Sequence, residues 1–68
     1  MRPKLIGDAI RSYRNRAALT QERLAEKADL NPKYLGEVER GEKIISIEAL
    51  MRVAKAVKTP IRAFFRDI

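Results

Sequence analysis

The chain of 68 residues has no cysteine, no histidine and no tryptophan. Without cysteine there is no disulfide staple, no thiolate nucleophile and no cysteine-held zinc. Without histidine, the side chain that most often moves protons near neutral pH is missing. No uninterrupted apolar run exceeds three residues, as in Ala17-Ala18-Leu19 or Ala49-Leu50-Met51. A membrane-spanning helix needs about 20 apolar residues, and a signal peptide needs an apolar stretch of about 7–15. The chain is therefore expected to be soluble and cytoplasmic. Glycine and proline occur only three times each. No repeat, linker or low-complexity segment interrupts the sequence, so residues 1–68 are expected to form one small domain with a modest core.

What is present is positive charge. Fifteen Lys and Arg face nine Asp and Glu, a net charge of +6. Such a surplus favours polyanionic partners such as DNA, RNA or an anionic membrane face. Basicity alone does not choose among them; the positions of the charges must.

Apolar residues recur at helical spacing, and no segment alternates like a strand. Leu5, Ile6, Ala9, Ile10 and Tyr13 mark one face of a first helix, from about Lys4 to Arg16. Thr20 caps a second, which carries Leu24, Ala25 and Ala28 and stops near Ala28. Asn31-Pro32 opens a third, because Asn caps well and proline at the first helical position gives up an N–H that would be unpaired anyway. That helix turns Leu35 and Val38 inward and ends at Arg40-Gly41, where glycine supplies the left-handed cap. Ser46 caps a fourth helix with Ile47, Leu50, Val53, Ala54 and Val57 on its buried face. Thr59-Pro60 repeats the cap-and-proline device before a fifth, which bears Ile61, Phe64, Phe65 and Ile68. The expected fold is a compact all-α domain of five short helices.

The second and third helices, joined by a connector of only a few residues, read as a helix-turn-helix. A steep crossing lets one helix lie over a DNA backbone while the other enters the major groove. Ala25 sits where the two helices would touch, Leu30 plugs the turn, and Lys33, Tyr34 and Glu37 stay on the outer face of the third helix.

The stretch Leu19-Thr20-Gln21-Glu22-Arg23-Leu24-Ala25, followed by Ala28, Leu30-Asn31-Pro32, Tyr34-Leu35 and Val38-Glu39-Arg40-Gly41, resembles the lambda-repressor-like (Xre) helix-turn-helix family. The likeness continues through Ser46 to Leu50 and Val53 to Val57, and covers about Ile6 to Phe65. It implies a five-helix DNA-binding domain of a transcriptional regulator, usually a dimer. It also implies that Gln21 binds a backbone phosphate and buttresses the recognition helix, and that Arg14 and Glu39 form a structural ion pair. Three positions depart from the family pattern. Asp29 stands where glycine is common in the turn, Lys58 where glycine follows the fourth helix, and Ile45 where proline precedes the cap. Asp tolerates the left-handed region better than most residues. Ile45 leaves an Ile44-Ile45 pair exposed unless something covers it.

The candidate DNA-binding residues are Gln21, Asn31, Pro32, Lys33, Tyr34, Glu37, Arg40 and Lys43. Lys33 can donate to guanine O6 or N7, or to phosphate alone. Tyr34 can pack on a thymine methyl or sugar, or can be a half-buried amphipathic ring. Asn31 and Pro32 sit at the lip of the groove, and Asn31 can serve only as a cap. Glu37 can accept from cytosine N4 or pair with Lys33 four residues back. Arg40 is placed to clamp a phosphate; Lys43 is a second candidate or a solvated loop lysine.

Ile61, Phe64, Phe65 and Ile68 are more apolar bulk than one short terminal helix usually gives a core. They suggest a homodimer interface, with a terminal lid as the alternative. A dimer would set two recognition helices about 34–36 Å apart and read a pseudo-palindromic operator.

A different class remains in view: an antitoxin or other protein-interaction module that uses Ile44-Ile45 and the C-terminal cluster against a protein partner. An enzyme is disfavoured, since there is no paired-carboxylate, metal-ligand or nucleotide-loop pattern, and Gly7, Gly36 and Gly41 are too scattered for a phosphate cradle. No cofactor, metal or small-molecule ligand is expected. A membrane-surface peptide is disfavoured too, because the apolar stripes break at capped turns.

Overall fold

A computed structural model describes residues 2–65 of the chain. Four α-helices, α1 (Pro3–Arg16), α2 (Gln21–Lys27), α3 (Pro32–Glu39) and α4 (Ile47–Ala56), are followed by a short 3-10 helix, Ile61–Phe65. The fifth helix expected from the sequence is therefore a 3-10 turn. The Thr59 hydroxyl does not cap it; that hydroxyl donates to the Val57 carbonyl at 3.1 Å. The Ala63 N–H closes back onto the Pro60 carbonyl at 3.0 Å, three residues away, which is the tighter winding typical of short helical pieces.

Three helix starts follow the capping rule. Thr20 Oγ1 accepts from the Arg23 N–H at 3.1 Å, Asn31 Oδ1 from the Lys33 N–H at 2.8 Å, and Ser46 Oγ from the Ala49 N–H at 3.1 Å. All four helix ends share one device. The residue just past the cap adopts a positive φ: Ala18 (59°), Asp29 (56°), Gly41 (79°) and Lys58 (55°). In each, two backbone N–H groups turn back to orphan carbonyls of the last turn, as in Gly41 to Val38 (3.0 Å) and Glu42 to Glu37 (2.9 Å). This is the Schellman arrangement, in which glycine is the residue that fits without strain. Only Gly41 among the four is glycine. Asp29 and Lys58 stood out in the sequence as departures; Ala18 did not.

The core joins all five elements. Ile6, Ile10, Leu24, Leu35, Val38, Leu50 and Val53 are almost completely buried, with Ala25, Ala28, Ala49 and Ala54 filling the gaps between helices. At Gly7, α1 and α3 approach so closely that an added Cβ would lie 2.3 Å from the Val38 carbonyl oxygen. That contact fixes how the first helix crosses the third.

Three expectations about apolar side chains change. Ile47 was assigned to the buried face of α4 but is 58% exposed, because the helix turns Ala49, Leu50, Val53 and Ala54 inward and leaves Ile47 and Met51 outside. The Ile44-Ile45 pair splits: Ile45 enters the core and Ile44 stays 61% exposed. Phe64 is 2% exposed and sits edge-on to the Tyr13 ring, with centroids 5.1 Å apart. It is part of the lid, with no surface left for a second copy. Ile61 and Phe65 are half-buried. Ile68 lies outside the described residues. No helix among those described is long and apolar enough to cross a membrane.

Candidate nucleic-acid interface

The crossing of α1, α2 and α3 is tied by one buried carboxylate. Glu39, 3% exposed, accepts from Arg14 Nε at 2.8 Å and Arg14 Nη2 at 3.1 Å, a bidentate pair. Gln21 Nε2 donates to Glu39 Oε1 at 3.0 Å, and Arg14 Nη1 donates to the Leu19 carbonyl at 2.9 Å. The arginine fork suits this planar geometry. The network fixes the start of α2 against the end of α3. It gives Gln21 the buttressing part of the role that the resemblance implied, and makes the Arg14–Glu39 ion pair explicit.

The helix-turn-helix connector is held from the other side. Arg52 Nε on α4 donates to the Ala28 carbonyl at 2.8 Å, while Arg52 Nη1 meets Glu48 Oε1 at 3.1 Å. Sequence reasoning did not single out Arg52. The i, i+4 spacing of Glu48 and Arg52 was visible, but the carbonyl it reaches belongs to another helix.

Helix α3 lies between two helix N-termini. Gln21, the first residue of α2, reaches its C-terminal half through Glu39. At its other end the Ser46 N–H, from the cap of α4, donates to the Tyr34 hydroxyl oxygen at 3.2 Å. The Tyr34 ring is half-buried against the core, so its bland reading holds in part: the ring is a strut between α3 and α4, with its hydroxyl at the outer edge. Asn31, Pro32 and Lys33 are exposed at the start of α3. Asn31 caps, as noted, and Lys33 forms no ion pair among the described residues.

Two acids at the end of α3 and just past it, Glu37 and Glu42, are each held by a base. Glu37 does not pair with Lys33, as one reading of the sequence had it; its partner is Lys43, at 3.6 Å. The C-terminal cap of α3 folds the loop back, bringing Lys43 to Glu37 while Lys33 stays at the first turn. Arg40 and Glu42 form a second exposed pair, Nε to Oε2 at 2.9 Å and Nη2 to Oε1 at 3.2 Å. That hydrogen bond raises the Arg40 guanidinium above its ordinary pKa and, with Arg40's charge, lowers the Glu42 carboxyl below its own. Glu42 was not among the sequence candidates. The tight turn at Gly41, which brings residues 40 and 42 together, was its only signal.

Among the described residues no group of three or more acids is placed to hold a metal ion. The surface offers an exposed helix start with a lysine that forms no ion pair among the described residues, flanking helix N-termini, and guanidinium and ammonium groups around them.

Comparison with known proteins fits this geometry. The chain is 40% identical to control protein C.SmaI of Serratia marcescens over 58 residues, which is 85% of this chain and 69% of that protein. Among the other curated relatives the aligned part of the chain spans from 67% down to 40% of their length. The restriction-modification controller protein C.AhdI from Aeromonas hydrophila superposes with a TM-score of 0.89 at 32% identity, over 93% of this chain and 96% of that one. The biofilm master regulator SinR, in a crystal structure with DNA, superposes with a TM-score of 0.85 at 30% identity, over 88% of this chain and 97% of that one. The HTH_3 helix-turn-helix model matches residues 10–64, and with these relatives it establishes that the chain belongs to that helix-turn-helix family.

Proposed function

We propose that the protein is a small transcriptional regulator that binds double-stranded DNA in a sequence-specific manner, with α3 in the major groove. The observation that carries this reading is the exposed start of α3, Asn31 to Lys33, set between the N-termini of α2 and α4. Helix N-termini attract phosphate, so two of them beside an exposed helix start suit a groove flanked by two backbones. Lys33 reaches base edges, Tyr34 and Pro32 pack at the lip, and Gln21, Arg40 and Lys43 face phosphates. Glu37, held by Lys43, is positioned to accept from a cytosine amino group. The DNA in the SinR structure and the names of the controller relatives support the same reading.

The working form is a homodimer on a pseudo-palindromic site. Phe64 is excluded from the interface by its burial, which leaves Ile61, Phe65 and, outside the described residues, Ile68 of the C-terminal cluster. The exposed Ile44, Ile47 and Met51 add apolar surface available to a second copy. Selection of bound sites from random duplexes, followed by competition at stated salt, tests both parts. A recovered half-site with dyad symmetry supports them. Recovery of no sequence preference would overturn specific recognition, and a single unrepeated half-site bound by a monomer would overturn the dimer.

A further inference from the structure

An open cleft of about 580 Å³ lies beside the α1–α2–α3 crossing, lined by Lys4, Arg11, Arg14, Gln21, Glu39, Arg40 and Glu42. Four of these seven side chains are cationic and two are carboxylates, of which Glu39 is buried and taken up by Arg14 and Gln21, so cations exceed anions by two. The cleft therefore suits a phosphodiester. Its exposed anion is the Glu42 carboxylate, which holds the Arg40 guanidinium through two parallel hydrogen bonds of 2.9 and 3.2 Å. A phosphate takes an arginine in the same bidentate way.

The placement of Glu42 is set by the backbone. Its N–H is locked onto the Glu37 carbonyl at 2.9 Å by the cap at Gly41. The Lys4 backbone and stem pack so closely on Gly41 that a Cβ there would lie 3.1–3.3 Å from them. The carboxylate is thus carried on a fixed turn beside Arg40 instead of on a free loop. Arg40 in turn crosses Gly36, with Nη1 3.2 Å and Gln21 Oε1 3.4 Å from where a Cβ would stand. The guanidinium and the Gln21 amide therefore share one patch of α3.

We infer that Glu42 is an intramolecular stand-in for a DNA backbone phosphate: it occupies Arg40 in the free protein, must release it when the duplex docks, and so restrains binding to DNA of any sequence. This rests on the DNA-binding reading above. The restraint acts on a backbone contact and leaves the base-facing residues of α3 untouched, so it lowers affinity for every duplex alike and does not change the preference among them. It lowers non-specific affinity in a protein whose net charge of +6 would otherwise favour it.

The test measures binding of the full chain to a fixed non-operator duplex and to a selected site, across a salt series. The proteins are wild type, Glu42→Gln, Arg40→Ala, the double variant, and Glu26→Gln as a charge-only control whose acid pairs with Arg23 on α2. Glu42→Gln is expected to bind both duplexes about two- to fivefold more tightly, the range to which the worth of an exposed ion pair converts. Its log–log salt slope should stay close to that of the wild type, because Arg40 makes the same phosphate contact in both complexes. In the Arg40→Ala background the same substitution should have little effect. Equal tightening with and without Arg40, or the same gain from Glu26→Gln, would reduce the effect to net charge and overturn the proposal. Weaker binding by Glu42→Gln would overturn it too, by making Glu42 a support for Arg40. Wild-type protein that binds neither duplex at low salt would instead remove the DNA-binding reading, and this proposal with it.

Discussion

Arg14 and Glu39, 25 residues apart in sequence, meet in a bidentate pair of 2.8 and 3.1 Å, with Glu39 almost wholly removed from solvent. Three hydrogen bonds converge on that carboxylate from two other segments, so its charge is compensated only while Arg14 and Gln21 are in place. Replacing Arg14 strands a buried anion, which typically costs about 3–5 kcal/mol. Arg14→Met should therefore lose about that much stability in urea unfolding. Arg14→Met combined with Glu39→Leu should recover part of it, because the uncompensated charge is gone. A loss well under 1 kcal/mol for the single change would mean that the pair contributes little to the fold.

Gly7→Ala probes the crossing of α1 and α3. The new methyl would stand 2.3 Å from the Val38 carbonyl oxygen and 2.7 Å from that of Glu39. Both atoms belong to helix backbone, which a rotamer change does not move. Overpacking typically costs about 1–3 kcal/mol and occasionally more; with backbone on the far side, the upper end or beyond is expected. Thermal unfolding checks the stability, and the shift of α3 should appear in amide resonances of residues 36 to 39.

The helix ends give a prediction of opposite sign. Ala18, Asp29 and Lys58 all hold positive φ in positions that glycine fills without strain. A left-handed residue with a Cβ carries roughly 1–2 kcal/mol of strain, and Asp tolerates it better than Ala. Part of that is offset because glycine gains entropy in the unfolded chain. Ala18→Gly should raise stability by about 0.5–1 kcal/mol and Asp29→Gly by less. A loss on Ala18→Gly would show that the cap is not strained.

These helix ends also mark where the sequence was legible. The caps Thr20, Asn31 and Ser46, the stripes Leu24-Ala25-Ala28 and Leu35-Val38, and the left-handed Gly41 are governed by neighbours within a turn or two, and local rules found them. Ala18 carries no local signal, since its φ is set by where α2 must begin. Ile47 and Phe64 were misplaced for a related reason: helical spacing says which residues share a face, while the neighbours that cover that face come from elsewhere in the chain. The partner of Glu37 was missed because it depends on how the loop after α3 folds back. In the same way the resemblance pointed to Arg14 and Glu39, but the third hydrogen bond from Gln21 needed the packed helices.

Glu42 gives a pH dependence. Its carboxyl is held below the ordinary 4.5 chiefly by the hydrogen bond from Arg40. A carboxyl depressed in the folded state adds stability that is present above its unfolded pKa and is lost as pH falls through the folded one. The Arg40–Glu42 pair should therefore persist from neutral pH down through 4.5 and break only below it. A carboxyl carbon NMR titration should give Glu42 an inflection under 4.5, moving upward in Arg40→Ala. An inflection at or above the ordinary value in the wild type would mean that the pair is not held in solution.

Lys33 and Arg40 separate reading from clamping. Lys33 sits in the first turn of α3, exposed and with no ion pair among the described residues, where side chains reach base edges. Lys33→Gln should lose discrimination at one base pair of each half-site, at a cost of about 1–3 kcal/mol for the selected site if the lysine donates to guanine. Binding to non-operator duplex should fall much less. Arg40 lies past the end of the helix, beside the Gln21 amide. Arg40→Ala should weaken all duplexes to a similar degree and flatten the salt slope by about 0.9, one phosphate contact. Parallel competition with selected and scrambled duplexes distinguishes the two. A uniform loss for Lys33→Gln would move that lysine to the phosphate backbone, while an unchanged slope for Arg40→Ala would take the guanidinium out of the interface. Because Lys33 and Arg40 occupy opposite ends of α3, exchanging their phenotypes would require the helix to lie in the groove in the reverse sense.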